Sequence, residues 1–249
     1  MALPAFITQE PGLTAGFCAI LAAFAYALFE AWRDRVRRKA GEEVRSCLSA
    51  MAETIALLWL LCAACLMAWL ASGRTLDALG LGPGEGWRAL IAWALGAGGA
   101  VWLLADTRRT LASGERREKL AAQMQAAGGL GYFDLRTPRE AGVFQTMAVT
   151  AGLTEEIIFR GFALLALTLV LPLWAAALVS AVIFILFHAY QGMAGMVRIT
   201  QITVVLTALV VFGGTLWPAI LVHIVVDMVG GMVLWGARAE LAAQRGAVR

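Results

Sequence analysis

The chain contains little charge. Asp, Glu, Lys and Arg make up 15% of its 249 residues, whereas soluble domains carry about 25%. The 20 basic residues barely outnumber the 17 acidic ones, and they lie in short loops without interleaved aromatic residues, which is not the pattern of a nucleic-acid-binding surface. Apolar residues instead make up 61% of the chain, and its mean hydropathy is +0.77. These proportions predict an integral membrane protein that has the lipid bilayer, and no nucleic acid, as a partner.

Cysteine is also scarce, and so are basic residues near the start of the chain. The four cysteines imply no disulfide framework. Cys62 and Cys65 have redox-motif spacing, but they lie in an apolar run, so we predict that they pack as small apolar residues. The first basic residue is Arg33, whereas a secretory signal peptide needs positive charge ahead of its apolar core. The first apolar segment is therefore expected to be a retained transmembrane helix.

The apolar segments are continuous rather than alternating, which predicts helices instead of barrel strands. A helix needs about 20 mostly apolar residues to cross a bilayer. The predicted fold class is therefore all-α, a polytopic membrane helix bundle with about seven transmembrane helices. The predicted spans are 12–32, 51–71, 88–105, 142–171, 173–190, 199–214 and 217–236.

We expect one integral membrane unit with three parts along the chain. Residues 1–140 supply N-terminal transmembrane helices with basic cytosolic loops, residues 141–236 supply a bundle that carries polar motifs, and residues 237–249 form a cytosolic tail. Most basic residues fall after spans one and three, between spans five and six, and in the tail. Cytosolic loops are enriched in Lys and Arg. We therefore expect a protein of a bacterial-type plasma membrane, with its N-terminus outside and its C-terminus in the cytosol.

The fourth predicted span contains Glu155, Glu156 and Arg160. Ionisable groups within a membrane cost about 2.5–3.5 kcal/mol each on insertion scales, so they are functional by default. Residues four apart share a helix face, so Glu156 and Arg160 can pair. Glu155 is rotated by about 100° from Glu156 and would be the less neutralised carboxylate, which suits a general base that faces a cavity. A buried ion pair that only fixes helix packing remains the alternative for Glu156 and Arg160.

Both histidines of the chain lie in apolar segments with a partner one helical turn away. His188 follows Phe184 by four residues, and His223 precedes Asp227 by four. The carboxylate of Asp227 could orient the imidazole of His223 or fix its tautomer. A hydrogen bond that only locks the helix is the alternative.

At these residues the chain resembles the CAAX-protease and bacteriocin-processing family of intramembrane enzymes, which includes the type II CAAX prenyl endopeptidases. The motif E-E-x-x-x-R matches Glu155, Glu156 and Arg160. The motif F-x-x-x-H matches Phe184 and His188, and H-x-x-x-N or D matches His223 and Asp227. The resemblance covers roughly residues 150–231.

The resemblance implies an intramembrane endopeptidase that acts on a membrane-associated peptide or protein substrate. Glu155 with His188 would activate a water molecule, and His223 with the residue at 227 would form an oxyanion site. The prenyl endopeptidases typically carry Asn at that last position, whereas this chain has Asp227. An ionised carboxylate cannot donate a hydrogen bond to an oxyanion, so orientation of His223 is the role favoured for Asp227 here.

Two alternatives stay open. No cofactor is expected, but Glu155, His188 and His223 could supply three ligands to a catalytic zinc, as in metalloendopeptidases. The same polar groups could also serve a non-enzymatic protein, either a proton-relay transporter or an immunity-type scaffold. The sequence shows no inverted repeat of the kind found in many transporters.

Overall fold

A computed structural model describes residues 3–42, 45–126 and 135–247. Every regular element in these ranges is helical, which confirms the all-α prediction. The helices are α1 (Leu3–Gln9), α2 (Pro11–Lys39), α3 (Cys47–Ala71), α4 (Gly86–Ala112), α5 (Gly114–Ala126), α6 (Pro138–Glu155), α7 (Leu164–Leu167), α8 (Leu173–Phe187), α9 (Gly192–Gly213) and α10 (Trp217–Ala247). A π-helical segment, Glu156–Ala163, joins α6 to α7, and a 3₁₀ turn, Ala189–Gln191, joins α8 to α9.

Five helices in the described ranges are long and apolar enough to cross a membrane. They are Pro11–Arg37, Cys47–Ala71, Gly86–Ala112, Ala189–Gly213 and Trp217–Ala242. The predicted count of seven is not confirmed. The predicted span 142–171 is divided between α6, the π-helical segment and α7, and it carries three charged groups. The predicted span 173–190 is an apolar helix of 15 residues, which is shorter than the roughly 20 that a bilayer crossing needs.

The end of the chain is helical. Helix α10 continues without a break from Trp217 to Ala247, so the predicted tail of residues 237–249 is helical as far as it is described. Residues 248–249 lie outside the described ranges. The predicted apolar packing of Cys62 and Cys65 is confirmed, since both are buried members of the main core cluster.

The N-terminal helices pack directly on the segment that carries the E-E-x-x-x-R motif. A Cβ at Gly16 would lie 2.2 Å from Cζ of Phe162, so α2 has a glycine where the Phe162 ring contacts it. Phe17 and Trp69 pack against the same ring, with centroid distances of 5.5 and 6.5 Å. The part of the chain outside the family motifs therefore forms one wall around the π-helical segment.

Two basic residues of the region after the first predicted span are paired with carboxylates on helices. Arg45 lies 2.7 Å from Glu30 and 3.0 Å from Asp34, and it also binds Glu53. Arg33 pairs with Glu30. The carboxylates of Glu30 and Asp34 are buried, so this network ties the end of α2 to the start of α3.

The start of α10 is anchored to the loop that follows α3. The amide of Leu216 donates to the carbonyl of Gly80 (2.8 Å), and the hydroxyl of Thr215 donates to that of Gly82 (2.7 Å). The indole of Trp217 donates to the carbonyl of Leu81 (2.9 Å). Three hydrogen bonds thus fix where α10 begins, and with it the position of His223 six residues later.

Helices α6 and α10 approach each other closely at a glycine. A Cβ at Gly152 would lie 2.7 Å from the backbone nitrogen of Ile224 and 3.0 Å from its Cα. Small residues let membrane helices approach at van der Waals distance. Because Gly152 is three residues before Glu155 and Ile224 follows His223, this contact sets the spacing between the two motif helices.

We expect Gly152→Ala to separate α6 from α10 and to destabilise the protein by about 1–3 kcal/mol, as overpacking does. The matched control is Gly142→Ala on the same helix, where a new Cβ would meet nothing within 4 Å. Thermal unfolding in detergent should show a lower melting temperature for Gly152→Ala and no loss for Gly142→Ala. Equal melting temperatures would contradict the close contact.

Candidate active site

The first motif lies where an α-helix becomes a wider π-helix. Glu155 is the last residue of α6, and Glu156 is the first of the π-helical segment. The sequence predicts an ordinary α-helix here, so the change of winding is a difference from the expectation. Single π-helical turns within α-helices are rare and frequent at functional sites. The two neighbouring carboxylates nevertheless face different partners, as the α-helical argument anticipated.

Glu156 is the fixed carboxylate of the pair. Its Oε1 lies 2.8 Å from Nη1 of Arg160 and 2.7 Å from Nδ1 of His223. Glu156 is fully buried and Arg160 is 1% exposed. The predicted ion pair of Glu156 with Arg160 is therefore confirmed, and its contact with His223 is new. One oxygen atom connects the first motif to the third.

Glu155 is the carboxylate that faces both imidazoles. Its Oε2 lies 3.9 Å from Nε2 of His188 and 3.8 Å from Nε2 of His223. This oxygen is buried and has no hydrogen-bond partner among the described residues. Both distances exceed a direct hydrogen bond, and polar contacts of this length are commonly bridged by water. The side chains of Glu155, His188 and His223 therefore converge on one point, which the roles implied by the resemblance require.

His188 lies just beyond the end of α8, and its ring is oriented by the backbone. Its Nδ1 is 2.9 Å from the carbonyl oxygen of Phe184. Because a carbonyl can only accept, Nδ1 carries the proton and donates. The Nε2 of a neutral His188 then presents a lone pair toward Glu155. This is the tautomer that a base or an acceptor of a water proton needs.

His223 is oriented by Glu156 and not by Asp227. Its Nδ1 donates to Glu156 at 2.7 Å, whereas Oδ2 of Asp227 lies 3.7 Å from Nε2. The latter distance is too long for a hydrogen bond. The orienting role that the sequence favoured for Asp227 is therefore filled by another carboxylate. The reason is that the helical spacing of His223 and Asp227 gave no information about a contact from a different helix.

The ring of Phe184 packs against the charged groups of the site. The guanidinium carbon of Arg160 lies 4.2 Å from its centroid, a distance typical of cation–π contacts. Its centroid is 4.6 Å from that of His188 and 6.0 Å from that of His223. Phe184, predicted as a supporting residue, therefore contacts residues of all three motifs. The aromatic position of F-x-x-x-H is thus explained by packing around the charged groups.

Tyr190 is near the site and was not predicted. Its ring stacks on His188, with centroids 6.1 Å apart and an interplanar angle of 29°. It lies in the 3₁₀ turn that follows His188. Helical periodicity cannot predict the position of a residue in such a turn. The sequence feature that could have indicated Tyr190 is its position two residues after His188.

The residues named for the zinc alternative lie around one carboxylate oxygen of Glu155. No group of three or more His, Cys, Asp and Glu side chains in that part could hold a metal ion. Zinc ligands at about 2.0–2.1 Å in tetrahedral geometry lie about 3.3–3.4 Å from each other. The measured separations from Glu155 to His188 and His223 are 3.9 and 3.8 Å.

The comparison with protein families found a match to part of the chain. Residues 138–229 match the family described as Type II CAAX prenyl endopeptidase Rce1-like. The match includes every residue of the three motifs, so the resemblance drawn from the sequence is confirmed for this segment. No curated protein and no solved structure was found to match the chain.

We expect Glu156→Gln to destabilise the fold, whereas Glu155→Gln should leave it intact. Loss of the Glu156 charge leaves the guanidinium of Arg160 buried and unpaired, which costs about 3–5 kcal/mol. Within the described part of the chain, Glu155 makes no hydrogen bond that its amide analogue would lose. The measurement is folded yield and melting temperature in detergent for both variants. A lower melting temperature for Glu155→Gln than for Glu156→Gln would contradict the assignment of the two carboxylates.

Proposed function

We propose that this protein is a membrane-embedded endopeptidase of the CAAX-protease type, with Glu155, His188, His223 and Asp227 as catalytic residues. The observation that supports it is the convergence of Oε2 of Glu155 with the Nε2 atoms of both histidines, at 3.9 and 3.8 Å. These three groups come from the α6 end, the α8 end and α10. Since each must bear the cost of lying in a membrane, their meeting at one point favours a chemical role.

In the proposed reaction a water molecule binds between Glu155 and His188. Glu155 accepts a proton from it as the water oxygen attacks the substrate carbonyl carbon, and His188 orients the water through its Nε2 lone pair. The carbonyl oxygen becomes an oxyanion. Glu155 then delivers the proton to the leaving nitrogen, so that the peptide bond breaks into a carboxyl group and an amine.

His223 is the proposed oxyanion donor. Its Nδ1 is bound to Glu156 at 2.7 Å, so a donor at Nε2 requires the doubly protonated ring. Three carboxylates surround that ring, namely Glu156 at Nδ1 and Glu155 and Asp227 near Nε2. A positively charged donor would stabilise the charge that develops on the oxyanion. Asp227 is then a neighbour of the oxyanion and not the group that selects the tautomer.

The proposal includes the substrate class, the membrane and the orientation that the sequence predicts. The substrate is a membrane-associated peptide or protein, reached within the bilayer of a bacterial-type plasma membrane. The N-terminus lies outside and the C-terminus in the cytosol, as the distribution of basic loops favours. The mechanism uses no metal, and inhibition by a chelator that added zinc reverses would favour the zinc alternative.

Glu155→Gln should abolish hydrolysis in purified protein reconstituted into vesicles. The change removes the base while it preserves volume and fold. The readout is mass spectrometry of cleaved peptides, with a farnesylated CAAX peptide, its unmodified counterpart and an unrelated transmembrane peptide as substrates. Tyr26→Phe removes a hydroxyl that binds Glu53 and no residue of the site, so it is the control and should cleave like wild type. Cleavage by Glu155→Gln at the wild-type rate would contradict the proposed chemistry, and absence of cleavage by wild type together with loss of proton-coupled uptake in Glu155→Gln would favour a transporter.

Asp227→Asn should retain activity within about tenfold of wild type. Glu156 still orients His223 in this variant, and the Asn amide can donate to the oxyanion. Asp227→Leu removes both functions and is the matched comparison. The measurement is a pH–rate profile of kcat for both variants. A loss near the 10⁴-fold seen when a triad Asp becomes Asn would instead make Asp227 the orienting group of His223.

A further inference from the structure

Ser180 makes a buried contact with the π-helical segment that none of the three motifs includes. Its hydroxyl donates to the carbonyl oxygen of Phe159 at 2.6 Å. Ser180 is 2% exposed. The bond joins α8 to the segment between Glu156 and Arg160, across 21 positions of the chain.

This contact lies within the π-helical segment, where the backbone hydrogen bonds differ from those of an α-helix. The amide of Leu164 donates to the same Phe159 carbonyl, five residues back, as π-helical geometry requires. Phe159 oxygen thus accepts one bond from the wide turn and a second from Ser180. The hydroxyl of Ser180 thus binds a carbonyl of the π-helical segment, and this segment begins directly after Glu155.

Ser180 also lies on the face of α8 that supplies the second motif. Phe184 follows it by four residues and His188 by eight, which is the spacing of one helix face. Ser180 binds the carbonyl of Phe159, Phe184 packs against Arg160 at 4.2 Å, and His188 approaches Glu155 at 3.9 Å. Two successive turns of α8 and the residue just beyond its end therefore contact the π-helical segment and Glu155, the residue that precedes it.

We propose that Ser180 is a positioning residue of the active site, whose hydroxyl holds the π-helical segment against α8 and thereby sets Glu155 between the two imidazoles. This inference rests on the proposed peptidase function for its effect on catalysis. Its geometric part, the placement of the histidines against Glu155 and Glu156, can be measured without any substrate.

The kinetic test compares Ser180→Ala, Ser180→Thr and Thr168→Ala. Thr168 is a matched control, because its hydroxyl also donates to a carbonyl at 2.6 Å, that of Leu165, but does so outside the site. Displacement of reacting groups by about 1 Å can reduce rates up to a hundredfold. We expect kcat to fall between about tenfold and a hundredfold in Ser180→Ala with KM unchanged. Ser180→Thr keeps the hydroxyl and should restore kcat, and Thr168→Ala should match wild type.

The second test uses the histidines as reporters. The chain has two histidines, and both lie in the site, so protein labelled with ¹⁵N-histidine and made without a histidine tag reports on the site alone. We expect Ser180→Ala to shift the ring nitrogen signals of at least one histidine, and Ser180→Thr to keep the wild-type spectrum. Spectra are recorded well below the melting temperature of each variant.

The outcomes separate this proposal from a merely structural role for Ser180. A lower melting temperature in Ser180→Ala, with wild-type kcat and wild-type histidine signals, would overturn it. If Ser180→Ala does not fold, Ser180→Cys preserves the volume with a much weaker donor and is measured in its place. If wild type cleaves no peptide, the proposed function fails, and the histidine spectrum alone decides: a shift supports the positioning role and an unchanged spectrum overturns it.

Discussion

The arrangement of the site depends on one carboxylate oxygen. Oε1 of Glu156 accepts from Arg160 within its own helical segment and from His223 on α10. A buried charge is tolerated only when it is paired and hydrogen-bonded, and here the pairing also fixes the ring that faces the reacting groups. The same oxygen therefore neutralises a guanidinium and selects which nitrogen of His223 points toward Glu155. Without it, neither the rotation of the π-helical segment nor the orientation of His223 would be defined.

The rest of the fold keeps the partners of Glu156 within reach. Gly152 allows α6 and α10 to approach until a Cβ would contact backbone atoms, and three hydrogen bonds to the loop after α3 fix where α10 begins. Gly16 accommodates the Phe162 ring, so α2 packs directly against the π-helical segment. Apolar burial alone does not hold helices together in lipid, because lipid tails are as apolar as the side chains. Small residues allow the close helix packing that does.

The fold and the site were predictable to different degrees, for physical reasons. Hydropathy recovered the long apolar helices, but not the π-helical turn, because winding depends on tertiary contacts such as that from Ser180. The pairing of Glu156 with Arg160 followed from four-residue spacing, since it is local. The contact of Glu156 with His223 spans 67 positions and no local rule could give it, so Asp227 was favoured for a role that a distant residue fills. The pairing of Arg33 and Arg45 with carboxylates was likewise not predicted, because the sequence does not show that α2 and α3 bring these groups together.

The charged side chains of the site differ in how far they are exposed. The side chain of Glu156 is fully buried and that of His223 is 6% exposed, those of Glu155 and His188 are each 13% exposed, and that of Asp227 is 36% exposed. Glu156, which holds the geometry, is thus the most buried of these groups, and Glu155, His188 and Asp227 are more exposed. Tyr190, stacked on His188, is also exposed. Two adjacent glutamates can therefore have different roles, because Glu156 binds a buried guanidinium and Glu155 faces the two imidazoles.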